Sequence, residues 1–225
     1  MSHVDEKISA VLENAKRSTQ EAEQWDKQLD EIIVEIKNEM VAHLSMEMEQ
    51  RAFFDERFFI YMPKYFQEMN ISHIKAKYPN ENRPKLLFTN STDTINIGIN
   101  TIIDEEEKFI EEDVTEFRDI MMESFFATSP SSKMLDKGDF KKEDKPLVAY
   151  YCFDSYAIGG LMYNLIFVTL LDEAILIVSM NCAMKDIEKN KLLFYGIMHT
   201  AHEESKSVAD TPLQPTNKND TGGQL

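Results

Sequence analysis

The chain has 225 residues, 24 Lys and Arg against 40 Asp and Glu, a formal charge of −16, and 43% hydrophobic residues. That length fits one ordinary domain with an appendage and that apolar content builds a core, which argues against two full domains and against a wholly disordered chain. The acidic balance disfavours nucleic-acid binding and anionic membrane surfaces, which need basic patches, and seven glycines with neither a GxGxxG nor a Walker A pattern signal no phosphate cradle.

From Val4 to Ile36 apolar residues recur every seven positions. One register is Ile8, Ala15, Ala22, Leu29 and Ile36; the other is Val4, Val11, Ser18, Trp25 and Ile32. This predicts a helical arm within residues 1–52, ending near 48–52, that coils with a partner copy or lies on the domain. Its association seam is Ile8, Val11, Trp25, Leu29, Ile32 and Ile36, since Ala15, Ser18 and Ala22 bury little area, and a bend is expected near residues 17–20. Met40, Met46 and Met48 are read as ordinary packing rather than an adaptable peptide surface.

Beyond Phe53 the texture becomes short aromatic and β-branched runs bounded by Pro, Asn, Asp and Ser, as strands are. Strands are expected over residues 58–62, 86–89 and 94–100, the last two pairing as a hairpin across the turn cluster Asn90, Ser91, Thr92 and Asp93. Helical period then runs over 104–126 with a stripe of Ile110, Val114, Phe117, Met121 and Phe125, opened by a capping box of Asp104 and Glu107. A short strand is expected around 133–135. Three further strands, 147–154, 162–171 and 174–182, form an antiparallel meander, because the Asp172-Glu173 connection is too short for a parallel crossover. A closing helix spans 186–204 with Ile187, Phe194, Met198 and Ala201 on one face, and residues 205–225, with no aromatic residue, make a disordered tail. The fold class is α+β: an antiparallel sheet of about six strands sandwiched by helices over residues 53–204, with a long N-terminal helical arm.

Ten carboxylates between Asp104 and Glu123 face only Lys108 and Arg118. Glu105, Glu106, Glu111, Glu112, Asp113 and Glu116 are therefore a candidate surface for a basic partner, weighed against a merely solvated helix face. His199, His202 and Glu203 have the spacing of ligands on one helical face, but no second ligand cluster accompanies them, so no metal site is assigned. Ser124, Ser155 and Ser179 lack a nucleophile-elbow context. No catalytic residue and no cofactor is expected. Cys152 and Cys182 read as buried thiols in a reducing compartment, and the N-terminus carries no apolar leader, which points to the cytoplasm. The apolar stretch 157–184 is interrupted by Asn164, Thr169, Asp172 and Glu173, so it is read as strands and not as a membrane span.

The order strand, hairpin, helix, meander, helix resembles the PsbP-like α/β/α sandwich of the Mog, PsbP and DcrB-type proteins. The residues carrying the resemblance are the run Phe59, Ile60, Tyr61, Met62, Pro63 followed by Phe66 and Met69, the hairpin from Asn90 to Ile97, and Ser179, Met180, Asn181, Cys182 before the last helix. Lys77, Tyr78, Pro79 with Asn82, Arg83, Pro84 look more narrowly like small uncharacterised bacterial cytosolic proteins. The resemblance implies a non-enzymatic protein-interaction module, and the heptad seam, which departs from that family, adds an arm expected to self-associate or clamp onto the domain. Its alternatives are a secretion-effector chaperone or toxin-neutralising protein and, third, a small-molecule enzyme.

Overall fold

The computed structural model describes residues 3–78, 83–103, 108–143, 145–157 and 159–203, with side chains from residue 17 onward. Helix α1 (His3–Lys37) is followed by β1 (Met40–Val41), a 3-10 turn (Ala42–Leu44), β2 (Met46–Phe53), β3 (Phe58–Pro63), β4 (Gln67–Glu68) and α2 (Ile71–Lys77). Then come β5 (Leu86–Thr89), β6 (Ile95–Ile102), α3 (Asp113–Thr128), β7 (Met134–Phe140), β8 (Val148–Ala157), β9 (Gly160–Leu171), β10 (Ala174–Ala183), α4 (Ile187–Thr200) and β11 (His202–Glu203). The capping-box residues Asp104 and Glu107, and the tail, lie outside the described residues.

The main sheet has the order β4-β5-β6-β10-β9-β8-β7, and a smaller one has the order β1-β2-β3-β11, with every pairing antiparallel. The expected sheet of about six strands is thus seven among the described residues, with a second sheet beside it. Alternation decides which side chain faces where. On β10, Leu176, Val178, Met180 and Cys182 enter the large core, while Ile175 and Ile177 face α3. Helix α3 covers one face of the main sheet with Val114, Phe117 and Met121. The other face is covered by α4 and the small sheet, and the C-terminal half of α1 packs on α4.

Three expectations are corrected by this arrangement. Helix α1 ends at Lys37, not near 48–52, and it runs unbroken through residues 17–20. Glu39 turns the chain in the left-handed region (φ 59°), and Met46 and Met48 are buried while Glu47 points out, the period-two signature of a strand. Helix α3 starts at Asp113, nine residues later than expected. Ahead of it, Phe109 N donates to Glu173 O at 3.2 Å, which ties this segment to the β9–β10 turn, and the Asp113 carboxylate accepts from Ile110 N at 2.7 Å. Ile110 is consequently exposed and not part of the stripe. The closing helix stops at Thr200, and His202 and Glu203 form β11 against Phe58 and Phe59.

Helix α4 is buried almost all round, because it lies between the main sheet and α1. Gly196 lets α1 come close: a Cβ there would stand 2.7 Å from Ile36 Cδ1 and 3.0 Å from Ile32 Cγ2. Ile32 and Ile36 are 1% and 0% exposed, so this crossing belongs to the core of the same chain.

Candidate functional site

Of the six carboxylates expected to face a partner, Glu105 and Glu106 lie outside the described residues. Glu111 is paired with Lys141 (Oε1 to Nζ 2.6 Å), and Asp113 is engaged by the Ile110 amide. Of the described ones, only Glu112, at the N-cap of α3, and Glu116 stand exposed. Intramolecular partners therefore take up much of this surface.

The association seam is divided. Trp25, Leu29, Ile32 and Ile36 pack against the domain, whereas residues 17–24 are exposed at every position, and the side chains of Ile8 and Val11 lie outside the described residues. A groove of about 540 Å³ lies between α1 and α4. Its wall on α1 is Trp25, Gln28, Glu31, Ile32 and Glu35, a face repeating every three to four residues. On α4 it is Ile187, Glu188, Lys191 and Leu192, and His43 of the 3-10 turn closes one end. From Trp25 to Glu35 the groove follows about 15 Å of helix.

The floor is apolar and the rim charged. Trp25 packs edge-on against Tyr195 at 5.5 Å, and the Lys191 ammonium stands 4.9 Å from the Trp25 ring centroid and 5.8 Å from that of Tyr195. The ring quadrupole holds the cation there. Glu35 Oε2 is shielded from solvent and lies 3.4 Å from His43 Nδ1, in a geometry that makes no hydrogen bond. Glu31 stands 3.9 Å from Lys27 on the exposed side of the helix.

Beneath α4 lies a second polar group of residues. The Tyr195 hydroxyl donates to Asp136, Tyr150 OH stands 3.5 Å from the same carboxylate, and Cys152 Sγ is 3.5 Å from Tyr195 OH. Burial pushes Tyr195 and Tyr163 far above the usual phenol range and Tyr150 up to about 12. Both thiols are fully buried. Desolvation raises Cys152, and desolvation together with Asp186 raises Cys182 to about 12. Neither carries the thiolate that nucleophilic chemistry needs. Ellman's reagent at pH 8 is expected to titrate neither thiol in the native chain and both in urea; rapid native labelling of either would show an open route to the core.

The histidine spacing does not survive as a ligand pair, because the helix ends between the two residues. His199 stacks on Phe140 (3.9 Å, 5°), while His202 stacks on Phe59 (5.3 Å, 15°). Both border a small cavity of about 30 Å³ floored by Phe58, Phe140 and Phe167. Among the described residues no three His, Cys, Asp or Glu side chains converge as metal ligands, and no helix is long and apolar enough to cross a membrane.

No family model matches the sequence, and no curated protein matches it. Solved structures do resemble it. The cyanobacterial PsbP (CyanoP) of Synechocystis sp. PCC 6803 superposes with a TM-score of 0.53 at 10% identity, over 70% of this chain and 92% of that one. The fold is PsbP/Mog1-like. Weaker likenesses are the Ran-binding protein Mog1p of Saccharomyces cerevisiae, with a TM-score of 0.43 at 10% identity over 71% and 96% of the two chains, and LpqN of Mycobacterium tuberculosis, with 0.45 at 10% identity over 71% and 92%. The polar residues of the groove were not singled out by the sequence. Its patterning offers no reading for Gln28, Glu31, Glu35, His43, Glu188 and Lys191, and only the crossing of α1 over α4 makes them one site. The usable signal was Gly196, a glycine inside a helical pattern, where the Ile32 and Ile36 side chains of α1 come close.

Proposed function

We infer that this chain is a non-enzymatic protein-interaction module that works through the groove between α1 and α4. The observation carrying this reading is a groove of about 540 Å³ with an apolar floor of Trp25, Ile32, Ile187 and Leu192 under a charged rim, the anatomy of a docking surface rather than of a closed reaction chamber. Two unpaired, buried thiols support residence in the reducing cytoplasm. The exposed stretch 17–24 of α1 leaves the N-terminal half of the helix as a second association element.

The test is a photo-cross-linking amino acid placed at Gln28, in the groove, or at Glu123, on α3, in the native host. The expected result is one identified protein joined at position 28 and not at 123, which also binds the purified full chain. No adduct at 28, or equal adducts at both positions, would remove the groove from the reading.

A further inference from the structure

Resting on the reading of the groove as a docking surface, we propose that its occupant is a basic amphipathic segment of the partner. One Lys or Arg side chain enters between Glu31, Glu35 and Glu188, while the segment's apolar face covers Trp25 and Leu192. Four observations converge on this class. The rim carries three carboxylates against Lys191 and His43, so an incoming cation meets a complementary field. The Glu35 Oε2 atom, sealed from solvent and 3.4 Å from His43 Nδ1 without a hydrogen bond, adds negative charge behind this rim that favours an incoming cation. Lys191 over Trp25 shows that this aromatic wall already seats an ammonium group. The apolar part of the floor on α1, Trp25 to Ile32, runs for about 10 Å, about two turns of a docked helix. A uniformly charged, flexible segment would leave that floor wet, and an acidic one would meet like charge.

The chain reports on its own groove, because Trp25 is its single tryptophan. The probe is a leucine/lysine peptide of about fourteen residues, ~21 Å long as an amphipathic helix, with a leucine/glutamate counterpart and a lysine/glycine peptide lacking an apolar face. At about 0.15 M salt, where distant charges are screened, the leucine/lysine peptide is expected to shift Trp25 emission saturably and the two controls are not. The triple variant Glu31→Gln, Glu35→Gln, Glu188→Gln is expected to weaken binding by about tenfold, while Glu112→Gln, Glu116→Gln, Glu123→Gln on α3 changes it by less than about twofold. If the rim triple variant fails to fold, the double variant Glu31→Gln, Glu188→Gln, at two exposed positions, carries the same comparison.

Binding that leaves Trp25 emission unchanged, or that the two triple variants weaken equally, would overturn the proposal in favour of general attraction to an acidic surface. Emission that changes on dilution of the protein alone would overturn it in favour of a second copy in the groove. An adduct at position 28 combined with no response to the leucine/lysine peptide would leave the interaction module standing and refute the basic class; failure of both would remove the module reading itself.

Discussion

A chain beginning at Phe53 is expected to lose its cooperative thermal transition, whereas one beginning at Thr19 keeps a transition close to that of the full chain. The shorter chain lacks Ile32, Ile36, Val41, Met46 and Met48, all buried at 9% exposure or less, and it opens the faces of α4 and β3 that they cover. Five buried apolar side chains at about 2–5 kcal/mol for each large-to-small loss come to about 10–25 kcal/mol, as large as or larger than the roughly 5–15 kcal/mol that stabilises a domain. Strand β3 also loses the ladder from Met48 to Ala52 that pairs with Phe59 to Pro63, leaving its central backbone groups unpaired on one side. The Thr19 chain gives up no described core side chain and keeps the entire packed half of α1. Circular dichroism during heating separates the two. A cooperative, equally stable Phe53 chain would show that α1, β1 and the rest of β2 are accessory, contrary to their burial.

That boundary shows what the sequence could and could not disclose. Strands β5, β6, β8, β9 and β10 were legible because they bury apolar residues, and alternation such as that of Ile95, Ile97 and Ile99 against Asn96 and Asn100 has no helical reading; β7, with no buried residue, was visible only at its start. Residues 40–48 were not, since Met40 and Leu44 continue the helical spacing of α1, and only the left-handed turn at Glu39 redirects them into strands. A left-handed Glu gives no signal in composition. The start of α3 was misplaced for a related reason: acidic residues favour a helix N-terminus wherever they stand, and the tether of Phe109 to the β9–β10 turn is a contact distant in sequence. The apolar half of the candidate site, Trp25 and Ile32, was visible as a heptad seam. Its polar half was not, because a rim is made by two helices meeting, and either helix alone shows only a charged face.

Acid is expected to destabilise this protein partly through one imidazole. His199 is held down to about 4 by burial first, then by the Lys142 cation of the β7–β8 connection, with Asp30 of α1 opposing. Lys142 Nζ donates to the His199 backbone oxygen at 2.7 Å, which fixes that cation beside the ring, and Phe140 stacked at 3.9 Å limits access for hydrating water. In the unfolded chain the same imidazole titrates near 6.5. Between about 6.5 and 4 the unfolded state therefore binds the proton that the native state refuses, so stability rises with pH across that window. Above 6.5 the ring is neutral in both states and its contribution is complete; below 4 both states are protonated and the loss levels off. The full shift would correspond to about 3 kcal/mol, and allowance for the ring's partial exposure leaves about 1–3 kcal/mol. Other groups also titrate in this range, so the informative quantity is the difference between the wild type and His199→Phe, which preserves the stacking on Phe140. Urea unfolding across the pH series is expected to show the wild type losing that amount relative to the variant as pH falls from 6.5 to 4. A difference independent of pH, or one that moves in favour of the wild type on acidification, would mean that His199 accepts its proton within the folded protein.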